Sequence, residues 1–112
     1  MIITSFNVRR VGGAPKLQAH KRMFSKLKPN IVLIQETMCC SAKACEVFIK
    51  IFPRWEVSAL DGEDMFGGLL ETWNPLVVDL KPFSFCARLF LEGRVWGLDG
   101  PIKLVNFYAH FF

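Results

Sequence analysis

The run Ile31-Val32-Leu33-Ile34, set between the break at Pro29-Asn30 and the polar pair Gln35-Glu36, does most to limit what this chain can become. Four consecutive apolar residues, three of them β-branched, leave no polar face to turn toward water, as expected of a strand buried on both sides. Upstream, Ile2 to Val8 has the two-residue period of a strand, with Ile2, Thr4, Phe6 and Val8 on one face and Ile3, Ser5 and Asn7 on the other. Gly12-Gly13 closes that segment, and Pro15 suits the first turn of a helix, where its missing N–H would have had no partner. From Lys16 to Lys28, residues Leu17, His20, Phe24 and Leu27 share one stripe while Lys16, Arg22 and Lys26 point elsewhere, which predicts an amphipathic helix with a cationic back. His20 is therefore expected to be a packing residue.

Ser41 is placed to cap a second helix, in which Ala44, Val47, Phe48 and Ile51 recur at helical spacing before Pro53 stops it. Trp55 to Leu60 reads as a strand and Asp61-Gly62-Glu63-Asp64 as a loop. Beyond it the pattern becomes strands and turns: Gly68 to Trp73, Leu76 to Leu80, Phe83 to Leu91, Val95 to Leu98 and Ile102 to Tyr108, with turns at Asn74-Pro75 and Asp99-Gly100-Pro101. Gly67-Gly68 reads as a turn or a close backbone approach, since no P-loop lysine follows. Mixed β/α units thus lead into an antiparallel meander, and the absence of linkers and repeats makes residues 1–112 one unit.

With 112 residues, 52% of them hydrophobic, there is material for a core and no case for disorder. The apolar stretches are short and broken by charge, as at Lys50 and Arg54, so no membrane span is expected. The start, Met1-Ile2-Ile3-Thr4-Ser5-Phe6, lacks the basic lead and long apolar core of a signal peptide, which points to an intracellular protein. Cys39, Cys40, Cys45 and Cys86 then read as reduced thiols, buried or incidental, because Cys39-Cys40 and Cys45 do not form the paired CxxC spacing of a zinc site. Charge is uneven: nine Lys and Arg against two Glu through residue 50, and five against eight acidic residues after it. A basic first half suits a polyanion such as nucleic acid, and equally a solvated lysine-rich helix face.

Asn7 and Glu36 each stand near the end of an expected strand, where a carboxamide and a carboxylate could meet around a hard cation. The order of Ser5-Phe6-Asn7-Val8-Arg9, the basic helix, Ile31-Val32-Leu33-Ile34-Gln35-Glu36-Thr37, Gly67-Gly68-Leu69-Leu70-Glu71-Thr72-Trp73-Asn74 and Asn106-Phe107-Tyr108-Ala109 resembles the endonuclease/exonuclease/phosphatase superfamily, over essentially the whole chain. The wording is most similar to the amino-terminal endonuclease domain of plant LINE-type non-LTR retrotransposons. The resemblance implies an α/β (α+β) sandwich, the truncated N-terminal portion of the DNase I-like four-layer fold. It also implies phosphodiester cleavage by water with Mg2+ or Mn2+, DNA as partner and a nuclear location. On this reading Asn7 organises the site and helps hold the metal, Glu36 is the metal carboxylate, and Tyr108 contacts the scissile phosphate. Magnesium takes oxygen ligands and is often held by only one or two carboxylates besides water and phosphate.

The family pattern continues to an Asp-x-Asn motif and an Asp-His pair that this chain does not contain, and His110 reads as divergence rather than as a replacement base. General acid–base work and electrostatic stabilisation are each worth ~10²–10⁴-fold, so the chain alone should cleave negligibly. Three expectations follow: a fragment of a metal-dependent endonuclease, an inactive retroelement remnant that at most binds nucleic acid through Arg9, Arg10, Lys16, Lys21, Arg22 and Lys26, or a half-domain completed by another chain or a missing exon. Half a sandwich should also leave apolar edges and an uncovered sheet face, through which copies could associate.

Overall fold

The computed structural model describes residues 1–61 and 67–107; residues 62–66 and 108–112, the latter with Tyr108 and His110, lie outside the described residues. Nine elements follow one another: β1 (Ile3–Asn7), α1 (Ala14–Leu27), β2 (Ile31–Gln35), α2 (Ser41–Ile51), β3 (Glu56–Leu60), β4 (Leu69–Trp73), β5 (Val78–Phe85), β6 (Arg88–Val95) and β7 (Ile102–Asn106). They form a four-stranded sheet in the order β1-β2-β4-β3 and a three-stranded meander, β5-β6-β7. In the first sheet β1 and β2 run parallel, and β4 is antiparallel to both β2 and β3. Among the described residues no helix is long and apolar enough to cross a membrane.

The apolar run of β2 is buried on both faces because it faces two different cores. Val32 and Ile34 meet the helices in a cluster with Val8, Phe24, Ala44, Phe48 and Leu70. Ile31 and Leu33 meet the meander in a second cluster with Trp73, Val78, Leu80, Leu91 and Val95. Helices, first sheet and second sheet therefore make three layers. The β1 face that carries Ser5 and Asn7 is left exposed beside them, and Ile3 on that face is 44% exposed. On the outer face of the meander Phe83 and Phe85 are also exposed, Phe83 stacking on Phe90 with ring centroids 4.7 Å apart. Among the described residues, apolar side chains are thus exposed on both of these faces.

Three local expectations are corrected. Leu27 does not complete the α1 stripe: it is 43% exposed, and Met23 packs on the core instead, because the helix turns its last residue away as Lys28 ends it in a left-handed conformation. Ser41 is not the cap of α2. Cys40 holds that position without a side-chain hydrogen bond, and the Ser41 backbone N–H donates to the Asp61 carboxylate at the end of β3, so the orphan donor is satisfied from outside the helix.

The strand break expected between Leu80 and Phe83 is also absent. β5 runs through Lys81 and Pro82, which an edge strand tolerates because one side of its ladder is unpaired. The reversal falls at Cys86 and Ala87, with φ of 52° and 57°, a two-residue turn between the paired Phe85 and Arg88. Two left-handed residues make this a turn of the type I′ kind, for which glycine or asparagine is the usual choice, so Cys-Ala gave no signal in the sequence. Ala87→Gly should remove part of that strain and raise stability by about 1 kcal/mol, read as a higher urea midpoint with unchanged slope. A lower or unchanged midpoint would mean that Ala87 is not strained.

Candidate active site

Asn7 and Gln35 are paired residues of β1 and β2, and Glu36 follows directly, so the parallel pair brings Asn7 and Glu36 to the same C-terminal edge. The loops leaving this edge are zipped together: Val8 N–H donates to Gln35 O (3.1 Å), Arg10 N–H to Glu36 O (2.7 Å) and Val11 N–H to Thr37 O (3.1 Å). Backbone strain gathers here. Arg9, Arg10, Glu36 and Met38 all have positive φ, 52°, 107°, 56° and 54°, an arrangement that persists only where surrounding contacts hold it. Glu36 is half-buried, whereas Asn7, Arg9 and Arg10 are exposed.

At this edge the two strand ends present one carboxamide and one carboxylate as oxygen donors. Asn7 Oδ1 already accepts the Arg9 backbone N–H at 2.9 Å, which closes a local turn, and Glu36 is the carboxylate that the two strand ends supply. Among the described residues no three His, Cys, Asp or Glu side chains gather closely enough to hold a metal ion. Asn7 and Glu36 thus share one edge of the sheet. The third residue of the expected site, Tyr108, lies outside the described residues.

The other singled-out side chains serve packing. His20 meets the Phe6 ring edge-on with centroids 5.6 Å apart, and burial, helped by the nearby Lys16 charge, lowers its pKa from the ordinary value. Burial raises the pKa of the Cys39 and Cys45 thiols, which makes them poorer nucleophiles. Gly68, at φ 92°, lets the β4 backbone reach the strand edge: a Cβ there would lie 2.1 Å from Thr37 Oγ1, and Gly68 O accepts the Thr37 N–H at 3.2 Å.

Two features behind this edge were missed by the sequence reading. The first is a polar clamp between the sheets. Buried Asn106, on β7, donates through Nδ2 to Ile34 O (3.1 Å) and Leu70 O (2.9 Å), and its Oδ1 accepts from Gln35 Nε2 (2.9 Å). Gln35 Nε2 also lies within hydrogen-bonding distance of Ser5 Oγ (3.1 Å) and Leu33 O (3.2 Å), so one amide ties β1, β2 and β7 together. The available signal was a polar residue on the inward register of β7, in step with Ile102 and Leu104.

The second is Glu71. It lies opposite Leu33 and Ser58 in β4, on the face shared with Trp73, and is fully buried between the sheets. Neither carboxylate oxygen has a hydrogen-bond partner among the described residues, and desolvation pushes its pKa up to about 8. At neutral pH this side chain is predominantly the neutral acid.

No family model matches this chain, and no curated protein matches it. Its fold nevertheless has counterparts among solved structures. A truncated TDP2 from Caenorhabditis elegans superposes with a TM-score of 0.67 at 16% identity, covering 98% of this chain and 46% of that one. The mannosyl-6-phosphatase of Bacteroides thetaiotaomicron gives 0.63 at 13% identity, with coverages of 92% and 49%. The 3′ phosphatase NExo from Neisseria, in a structure bound to product DNA hairpin, gives 0.62 at 18%, with 95% and 40%. At such identities the likeness is one of fold. What this chain shares with them is part of a mixed α/β architecture. The chain spans less than half the length of each.

Proposed function

We propose that this chain is a non-cleaving remnant of an endonuclease/exonuclease/phosphatase domain, descended from a plant LINE-type retrotransposon endonuclease, whose remaining activity is binding to a nucleic-acid backbone. The observation that carries the reading is the composition of the strand edge: Arg9 and Arg10 are held there in a strained, hydrogen-bonded loop with Glu36 as the accompanying carboxylate. Lys16 extends the basic surface, its Nζ donating to Arg10 O, and Arg22 and Lys26 are exposed on α1. Such a surface meets phosphates without reading base sequence. The Neisseria neighbour, seen with a DNA hairpin, supports DNA as the polyanion, and a nuclear location belongs to the same proposal.

A supercoiled-plasmid nicking assay with magnesium, beside Glu36→Ala and an EDTA control, tests the first half. No nicking above the controls is expected; nicking abolished by both would return the chain to the enzymes, with Asn7, Glu36 and Tyr108 in their ancestral roles. Fluorescence anisotropy with labelled DNA tests the second half. Affinity should fall steeply with salt, and an Arg9→Gln/Arg10→Gln double variant should flatten the log–log slope by about 2, near 0.9 per lost phosphate contact. Binding insensitive to salt or to the double variant would exclude this surface.

A further inference from the structure

Strand alternation in the meander buries Leu80, Leu91 and Asn106 and turns the residues on either side of each toward solvent. Pairing sets the outward residues of β5 and β6 in ranks: Phe85 opposite Arg88, Phe83 opposite Phe90, and Lys81 opposite Glu92. Phe83 and Phe90 stack almost parallel, at 4°, yet Phe83 is still 43% exposed and Phe85 68%. Because β5 is the edge of its sheet, no further strand lies beside these two rings. The cations on this face differ in what they meet. Lys103 reaches Glu92 at 3.7 Å and Arg94 stands opposite Asp79, whereas Lys81 and Arg88 are exposed and take part in no ion pair among the described residues. Arg88 Nη1 donates to Cys86 O at 3.1 Å, which ties the guanidinium to the turn beside Phe85.

Exposed planar rings interleaved with unneutralised cations complement a ligand in which flat rings alternate with anions. A single nucleic-acid strand has that pattern in its covalent structure, whereas a duplex keeps its bases stacked inside. A second copy of this chain is a poorer occupant, because the same excess of cations over carboxylates would meet itself across the contact. We infer that the outer face of the meander binds single-stranded nucleic acid, with bases stacked on Phe83 and Phe85 and phosphates met by Lys81 and Arg88. Outward residues of one strand recur every ~7 Å, within the reach of one nucleotide in an extended strand. This face lies on β5 and β6 and contacts bases, so it does not rest on the strand-edge surface of β1, β2 and α1, which meets phosphates alone.

The test is fluorescence anisotropy of the 112-residue chain with two labelled probes of equal length, oligothymidylate and a wholly abasic strand. The abasic strand keeps the phosphates and lacks the rings, so oligothymidylate should bind at least about fivefold more tightly, the worth of one stacked base. That comparison needs no variant. Phe83→Leu/Phe85→Leu keeps apolar bulk at two exposed positions and should bring oligothymidylate to the abasic level while leaving the abasic strand unaffected. Lys81→Gln/Arg88→Gln should weaken both probes and flatten the log–log salt slope by about 1.4, near 0.7 per lost phosphate contact. The preference for bases should persist in Arg9→Gln/Arg10→Gln, which separates failure of this face from failure of the strand-edge surface. Equal affinity for the two strands, or a base preference indifferent to the phenylalanine pair, would overturn the assignment. Without a base preference, ring-dependent binding to phosphatidylserine vesicles would give the face to a lipid surface, and ring-dependent self-association would give it to a second copy.

Discussion

Replacing Glu71 by glutamine should make this protein more stable, by a margin that grows with pH. In the unfolded chain the carboxyl ionises near 4.5, and in the folded protein near 8, so folding favours the protonated form. A raised acid pKa means that stability is fully present below pH 4.5 and is lost as pH rises toward 8. At 1.36 kcal/mol per pKa unit, the loss is roughly 3 kcal/mol at pH 7 and about 5 above pH 8. Glu71→Gln keeps shape and removes the ionisation, so its advantage over the parent should be near zero at pH 4.5, rise through neutrality and level off above pH 8. Glu71→Leu also removes polar atoms that have no partner among the described residues, and should be stabilising across the whole range. Urea denaturation of the three proteins at pH 5, 7 and 8.5 decides the matter. A pH-independent gap between Glu71→Gln and the parent would mean that the carboxylate ionises in the folded state as it does in water, and that Glu71 is not enclosed between the sheets.

The second large effect is expected at Gly68. A methyl group there would stand 2.1 Å from Thr37 Oγ1, inside any tolerable contact, at a φ of 92° that L residues rarely adopt. Gly68→Ala should therefore cost ~2–4 kcal/mol, combining backbone strain with displacement of a buried side chain. Thr37→Ala in the same chain removes the obstructing hydroxyl while leaving the strained φ, so the double variant should recover part of the loss. A double-mutant cycle measures that recovery as a coupling energy, expected at ~1 kcal/mol or more. Strict additivity of the two substitutions would show that β4 does not approach Thr37 this closely. The same contact fixes the loop that follows Glu36, through Thr37 N–H to Gly68 O and Met38 N–H to Gly67 O, so Gly68→Ala should also disorder the strand edge where the proposed nucleic-acid surface begins.

The strand edge itself was readable in advance because its parts are local. The alternation of Ile2 to Val8 assigns Asn7 to the face of Ser5, and the apolar run of β2 ends where Gln35 and Glu36 begin. Parallel pairing in register then brings the two ends together. What such reading could not reach is how the edge is supported and equipped. Asn106 joins Gln35 across a separation of 71 residues, and no short pattern records that contact. Of the expected site, the described residues hold Asn7 and Glu36 at one edge, with no group of three His, Cys, Asp or Glu side chains among them that could hold a metal ion.

By itself the sequence determined the elements whose signal is periodic. The doubly buried β2, the alternating β1, the amphipathic α1 with His20 inside, and α2 ended before Pro53 are all written in residues within one or two turns of each other. Tertiary structure decided what depends on neighbours distant in the chain. A glutamate in a short strand reads as a solvent-facing charge until β4 is found between β2 and β3 with the meander closing over it. A Lys-Pro pair reads as a break until β5 proves to be an edge, and Cys86-Ala87 shows no sign of a turn until the pairing of Phe85 with Arg88 forces both residues to positive φ. Local pattern fixes which face of a segment is apolar, whereas register and layer order fix what that face meets, and it is the second that sets the protonation of Glu71 and the closeness of Gly68 to Thr37.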